Sequence, residues 1–135
     1  MTENKILIYA GTTEGRRLAE FLVKREVSVH VCVATEYGES LLPEGSNITT
    51  THERMDENQM IEFINEYHPS YVVDATHPYA IEVTENLQNA WQRPEVKNWQ
   101  LFRISQITKN VFMRECFQQR KWHISVNSLG LPERI

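Results

Sequence analysis

Two short polar segments hold the residue types best suited to chemistry in this 135-residue chain. The segment Gly11-Thr-Thr-Glu-Gly15 follows an apolar run and precedes a helical pattern, and Asp74-Ala-Thr-His-Pro-Tyr-Ala80 follows a second apolar run. Glycine and hydroxyl residues at a strand-to-helix turn suit anion binding. Asp, His and Tyr side chains suit proton transfer. We therefore expect the function of this chain to depend on these two segments.

The first segment has the features of a phosphate-binding turn. Glycine supplies backbone angles that such a turn needs and permits close approach of a phosphate, while the helix start offers unpaired N–H groups. Its two threonines add hydroxyl donors, and Arg16 or Arg17 is placed to reach a phosphate. The fingerprint G-x-G-x-x-G is absent, because only Gly11 and Gly15 are present. The alternative is a plain glycine turn with exposed arginines.

Other polar residues leave alternatives open. Thr76 either contributes to a site or caps the following helix. His77 either contributes to a site or has a structural role. Glu36 follows the second strand, where dinucleotide sites often place an acid for the ribose hydroxyls, but a solvated loop carboxylate is the simpler explanation. No two of the five histidines form a metal motif, so no metal site is expected.

Strand and helix patterns alternate through about residue 90. Apolar or β-branched runs indicate strands, and apolar residues at helical spacing indicate helices. Strands are predicted at Ile6–Ala10, Val27–Val33, Ile48–Thr51 and Tyr71–Ala75, with helices at Arg16–Arg25, after Asp56 and from Pro78. This alternation predicts an α/β fold, a Rossmann-like parallel sheet of core order 3-2-1-4 with helices on both faces.

That strand order has a consequence for function. Successive strands are added to one side of the first strand and then, from the fourth strand on, to its other side. Ligands of such sheets bind at this switch point, outside the carboxyl ends of the strands. The Gly11–Gly15 and Asp74–Ala80 segments leave those two strand ends. We therefore expect them to face each other across one crevice.

The composition changes after about residue 90. Residues 1–90 hold 15 acidic residues against 6 lysines and arginines, whereas residues 91–135 hold 3 against 8, together with all three tryptophans. A basic, aromatic segment is compatible with nucleic-acid binding, but its charges are scattered and match no binding motif, so no nucleic acid is expected as a partner.

The strand–helix pattern also weakens in this region. Trp99–Ile107 is compatible with a strand and Val111–Gln119 with a short helix, but neither has a convincing partner. The sequence therefore predicts a nucleotide-binding domain over residues 1–92 and a divergent or frameshifted tail over residues 93–135.

Composition also bears on location. No run of eighteen apolar residues exists, so no membrane span is expected. Cys32 and Cys116 match neither a metal spacing nor a disulfide framework, and the N-terminus lacks the basic-then-apolar order of a signal peptide. A reducing, cytoplasmic location is the expectation.

Four segments of the chain resemble, in order, signatures of the precorrin-6A reductases of cobalamin biosynthesis. The four span roughly residues 5–90. They are Ile8-Tyr-Ala-Gly-Thr-Thr-Glu-Gly-Arg-Arg-Leu-Ala19, Val33-Ala-Thr-Glu-Tyr-Gly38, Arg54-Met-Asp56 and Val73-Asp-Ala-Thr-His-Pro-Tyr-Ala80. One departure is Glu53, where the family usually has glycine. Any one segment would be weak support, but four in order are strong.

The resemblance implies an NADPH- or NADH-dependent reduction of precorrin-6A, or of its cobalt form, by hydride transfer. It also implies two α/β domains with the cofactor and macrocycle between them. The residues it implies for the cofactor phosphates are Gly11, Thr12, Thr13, Glu14, Gly15 and Arg16. Those it implies near the adenosine are Thr35 and Tyr37. Those it implies at the nicotinamide and substrate are Asp74, Thr76, His77 and Tyr79, with His77 and Tyr79 as candidate proton donors.

The second domain of that family has no trace in this sequence after residue 90. We therefore expect weak nucleotide binding and poor or no reduction of precorrin-6A, unless the tail or a homodimer covers the crevice. The alternatives are a non-catalytic nucleotide-binding fragment and an unrelated nucleotide-binding α/β domain.

Overall fold

A parallel five-stranded sheet organises the chain. The computed structural model describes residues 5–77, 79–93 and 99–103. The strands are β1 (Lys5–Ala10), β2 (Ser28–Val33), β3 (Ile48–His52), β4 (Tyr71–Ala75) and β5 (Gln100–Arg103). The helices are α1 (Thr13–Lys24), α2 (Glu36–Ser40), α3 (Glu57–Tyr67) and α4 (Ile81–Trp91). The order β3-β2-β1-β4-β5, with every neighbour parallel, confirms the predicted core order.

Helices cover both faces of the sheet, as predicted. On one face Leu22 of α1 belongs to the same buried cluster as Ile8 of β1. On the other face Met60 of α3 and Leu87 of α4 share a cluster with Leu7. The central strands are apolar on both sides because both sides are covered. Among the described residues, none of the helices has both the length and the apolar character needed to cross a membrane.

Two helices near the carboxyl ends of the strands differ from the prediction. α1 begins at Thr13 rather than Arg16, because the Thr12 side chain accepts a hydrogen bond from the Gly15 N–H and caps the helix. The short α2 occupies a stretch predicted as loop. The Thr35 side chain caps α2 by accepting from the Gly38 N–H at 3.0 Å.

α4 begins later than predicted. Its first residue is Ile81, its N-cap is Ala80, and no side chain caps it. The suggestion that Thr76 caps this helix is therefore wrong, because Thr76 lies four residues before the N-cap.

The sheet continues beyond the boundary predicted at residue 92. β5 pairs in parallel with β4, in the register Val72 to Leu101, and the Gln100 N–H donates to the Ser70 carbonyl. The prediction that Trp99–Ile107 lacks a partner is thus wrong for residues 100–103. The predicted helix at Val111–Gln119 lies outside the described residues.

His30 of β2 is a buried polar residue that holds the sheet edge to α3. Its Nδ1 and Nε2 lie 2.6 and 3.2 Å from the hydroxyls of Thr49 and Thr51 on β3. Its ring lies 4.7 Å from the Phe63 ring. Burial lowers the pKa of His30 from 6.5 to about 4, and the negative charge of Glu39 opposes that shift.

This burial predicts an acid-sensitive fold. The unfolded chain binds a proton at His30 below pH 6.5, whereas the folded chain does so only near pH 4, so stability falls as the pH falls through that window. Between pH 7 and 4.5 we expect a loss of about 2 kcal/mol in the free energy of unfolding. Urea denaturation at several pH values measures it. His30→Gln should flatten the dependence in that window, and an unchanged slope in this variant would refute the assignment.

Candidate functional site

The loops that follow β1 and β4 lie side by side. β1 and β4 are hydrogen-bonded neighbours, with Ala10 in register with Ala75. The Thr12 hydroxyl donates to the Ala75 carbonyl at 2.8 Å, and a Cβ placed on Gly11 would lie 3.7 Å from the Thr76 Cα. The two segments therefore meet at the switch point as expected. Neither of the two cavities described below is lined by both segments, so one crevice shared between them stays a prediction.

Thr12 connects these loops rather than offering a free hydroxyl. Its Oγ1 accepts from the Gly15 N–H at 3.2 Å and donates its one proton to the Ala75 carbonyl. The expectation that Thr12 donates its hydroxyl proton to a phosphate is thus corrected. The adjoining Thr13 is exposed at the first position of α1, where helix N–H groups have no intrahelical partner.

The two glycines of the turn have different roles. A Cβ on Gly15 would come within 2.9 Å of the Ala75 Cβ and 3.2 Å of the Ala10 Cβ, so Gly15 lets α1 pack closely on β1 and β4. A Cβ on Gly11 would meet no atom closer than 3.7 Å, and its φ lies outside the left-handed range. The prediction that the turn needs glycine for its backbone angles is therefore corrected. Gly11 is exposed, and a Cβ there would only reach ordinary van der Waals contact with the loop after β4.

A cavity of about 360 Å³ opens beside Gly11, between the starts of α1 and α2. Of the residues predicted at the cofactor, those on its wall are Gly11, Thr12, Thr13, Arg16, Thr35 and Tyr37. Glu14, Gly15 and Thr76 lie off that wall. Glu36 is exposed and also lies off it, as expected of a solvated loop carboxylate.

Asp74 and Thr76 are buried beneath the loop and do not line the cavity. Asp74 is 2 % exposed, and its carboxylate accepts from the Thr76 N–H at 3.1 Å and the Thr76 hydroxyl at 2.6 Å. It also accepts from the Thr84 hydroxyl at 2.7 Å and from Arg103 Nη1 at 2.6 Å. The side-chain polar atoms of both residues thus bond to the protein itself, and their expected contact with cofactor or substrate stays a prediction.

His77 and Tyr79 are exposed. The Tyr79 N–H donates to His77 Nδ1 at 3.2 Å, and the two rings lie 4.9 Å apart. Because Nδ1 accepts a backbone proton, neutral His77 carries its own proton on Nε2. Tyr79 is 87 % exposed. Both side chains are therefore free to present a proton at the carboxyl edge of the sheet.

A second cavity, of about 420 Å³, was missed by the sequence reasoning. It lies between the ends of β2 and β3 and the start of α4, and Tyr79, Ile81, Arg54 and Met55 line it. Cys32 lines it as well, but burial raises the pKa of this thiol to about 11, which leaves it unreactive. Arg54 and Met55 belong to the third of the four segments, and this is the sequence signal that could have pointed to the cavity.

The parallel sheet with a glycine turn at its switch point defines a Rossmann-like α/β protein. The chain belongs to the precorrin-6x reductase (CbiJ/CobK) family, because the model of that family matches residues 5–124. This match continues past residue 92, so the absence of family resemblance predicted for residues 93–135 does not hold as far as residue 124.

Individual relatives agree with the family. The chain is 31 % identical over 105 residues to a cobalt-precorrin-6A reductase of Salmonella typhimurium and 33 % identical over 81 residues to one of Priestia megaterium, covering 70 % and 60 % of this chain. It spans only 40 % and 31 % of their lengths. The fold is similar to that of CobK precorrin-6A reductase, at a TM-score of 0.63 and 23 % identity, over 78 % of this chain and 40 % of that one.

The two glycine roles predict effects of different size on stability. Gly15→Ala should force α1 away from β1 and β4, and we expect a net loss of about 1–2 kcal/mol, since overpacking outweighs the gain in helix propensity. Gly11→Ala is the matched control and should change stability by less than about 0.5 kcal/mol. Denaturant melts measure both, and equal effects would contradict the distinction.

Proposed function

We propose that the Gly11–Arg16 turn holds the phosphates of NADPH or NADH. The observation that carries this proposal is the cavity that Gly11 lines, next to the first N–H groups of α1 and at the switch point of the sheet. A helix N-terminus attracts anions through its unpaired N–H groups and its dipole. Thr13 and Arg16, on the wall of the first cavity, add a hydroxyl and a positive charge.

The adenosine half then lies on the β2 side of the turn. Thr35 and Tyr37 follow the end of β2 and line the same cavity as Gly11. In sheets of this order the residues after the second strand approach the adenine ribose. The nicotinamide half is assigned to the opposite side, beside the loop that follows β4.

The reaction we assign is the reduction of one double bond of precorrin-6A, or of cobalt-precorrin-6A. The bound cofactor supplies the hydride, and the product also needs a proton. His77 Nε2–H and the Tyr79 hydroxyl are the candidates, because both are exposed next to the start of α4. Asp74 supports the loop and is not a proton donor in this proposal.

The described residues form one wall of the site. Positioning a macrocycle and excluding water require a second wall. The chain spans less than half the length of the relatives described above, so the activity is a proposal for the whole protein. For this chain alone, a non-catalytic nucleotide-binding role remains the second candidate, and the one-sided crevice is the observation that favours it. A homodimer and a cytoplasmic location stay predictions.

Gly11→Val tests the cofactor site. A branched side chain would contact the backbone of Thr76 and His77 and obstruct the approach of phosphates to the α1 N–H groups, so we expect the affinity for NADPH or NADH to fall tenfold or more, about 1.4 kcal/mol. Ser46→Val, in the exposed turn at the opposite edge of the sheet, is the control. Fluorescence titration measures both. Unchanged affinity in a folded Gly11→Val protein would exclude this turn as the site.

The reductase activity has its own test. NADPH absorbance is followed after cobalt-precorrin-6A is added to the purified chain, with a substrate-free sample as control. We expect tetrapyrrole-dependent oxidation slower than about 1 per second, below the ordinary range of enzymes. Turnover at or above that rate would contradict the one-sided site, and tight nucleotide binding with no dependence on tetrapyrrole would favour the non-catalytic role.

A further inference from the structure

Asp74 presents an electrostatic problem that a distant strand resolves. A buried carboxylate is costly unless it is paired and hydrogen-bonded. Asp74 is 2 % exposed, and the positive charge beside it is Arg103 of β5, whose own side chain is 14 % exposed. The two side chains approach to 2.6 Å between Nη1 and Oδ2. β5 therefore supplies the counter-charge for a residue of β4.

The two oxygens of this carboxylate serve different parts of the structure. Oδ2 accepts from Arg103 and from the hydroxyl of Thr84 on α4, and Arg103 Nη1 also contacts that hydroxyl. Oδ1 accepts both the N–H and the hydroxyl of Thr76. One side of the carboxylate is thus fixed by β5 and α4, and the other side holds the loop.

The held loop is the one that borders Gly11. A Cβ on Gly11 would lie 3.7 Å from the Thr76 Cα and 3.8 Å from the His77 nitrogen. Neither Arg103 nor Asp74 lines the cavity that contains Thr35 and Tyr37. Replacing Arg103 would therefore alter the loop after β4, on one side of the Gly11–Gly15 turn, and leave the cavity on the β2 side of the turn unchanged.

We propose that Arg103 is a positioning residue for the nucleotide site. By pairing with Asp74 it keeps the carboxylate oriented so that Oδ1 holds Thr76, and this fixes the backbone of Thr76 and His77 beside the turn. The inference rests on the proposed function for its ligand, but the effect on the loop exists in the protein without nucleotide.

The test compares Arg103→Met with the wild-type chain in two measurements. The first is amide hydrogen exchange without nucleotide. We expect the exchange rate of the Thr76 amide to rise at least tenfold. The exchange rates of the β2 amides should rise only as far as the variant's loss of global stability requires. The second is affinity for NADPH and for ADP, which contains the adenosine and diphosphate portions alone. We expect NADPH to bind at least fivefold more weakly and ADP to bind within twofold of wild type.

Two further variants control the comparison. Arg93→Met removes an arginine that pairs with Glu57 on the exposed surface, and we expect neither measurement to change. Asp74→Asn combined with Arg103→Met leaves no unpaired buried charge and retains an oxygen for Thr76, so it should restore slow exchange and NADPH affinity to within threefold of wild type. Should Arg103→Met fail to fold, Arg103→Gln, which retains a donor toward Asp74, takes its place in both measurements.

Unchanged exchange at Thr76, an equal loss of NADPH and ADP affinity, or failure of the double variant to recover would each overturn the positioning role. A merely structural role would raise exchange throughout the sheet and weaken both ligands alike. If the wild-type chain binds neither ligand, the proposed function fails, and the exchange measurement alone still decides the role of Arg103.

Discussion

The hydrogen bond from the Thr12 hydroxyl to the Ala75 carbonyl, at 2.8 Å, joins the two loops that form the candidate site. This bond can form only because β1 and β4 are neighbours in the sheet. They are neighbours because the order of the strands switches to the other side of β1 at β4. The same hydroxyl caps α1. One side chain thus fixes where the helix begins and where the second loop lies.

Asp74 lies beneath these two loops and connects the loop after β4 to elements that come later in the sequence. Its carboxylate binds Thr84 of α4 and Arg103 of β5, so the loop after β4 is supported by two later segments. This explains why the polar residues of the loop divide into two groups. Asp74 and Thr76 are buried and stabilise the loop, whereas His77 and Tyr79 are exposed and remain available to a ligand.

Much of this arrangement could be predicted from the sequence, and the failures have physical causes. The β-branched runs and the Asp56 cap predicted four strands and the α3 helix, and right-handed crossovers then fixed their order. β5 was not recognised as a partner, because its four residues are polar at both ends and pair with residues of β4 that lie 29 positions earlier. Asp74 was expected at the nicotinamide and substrate, because its pairing with Arg103 cannot be recognised until β5 is in place beside β4. The distinct roles of Gly11 and Gly15 depend on interatomic distances that spacing does not encode.

The central claim is that nucleotide binds at the β1–β4 switch point, against the start of α1. The most direct measurement is a titration of the ¹⁵N-labelled chain with NADPH, followed by amide chemical shifts. We expect the largest changes at Gly11, Thr13 and Arg16, with further changes at Gly38 and His77. Changes that cluster instead at the amino edge of the sheet, around Ser46 and Ser70, or no changes at millimolar NADPH, would contradict it.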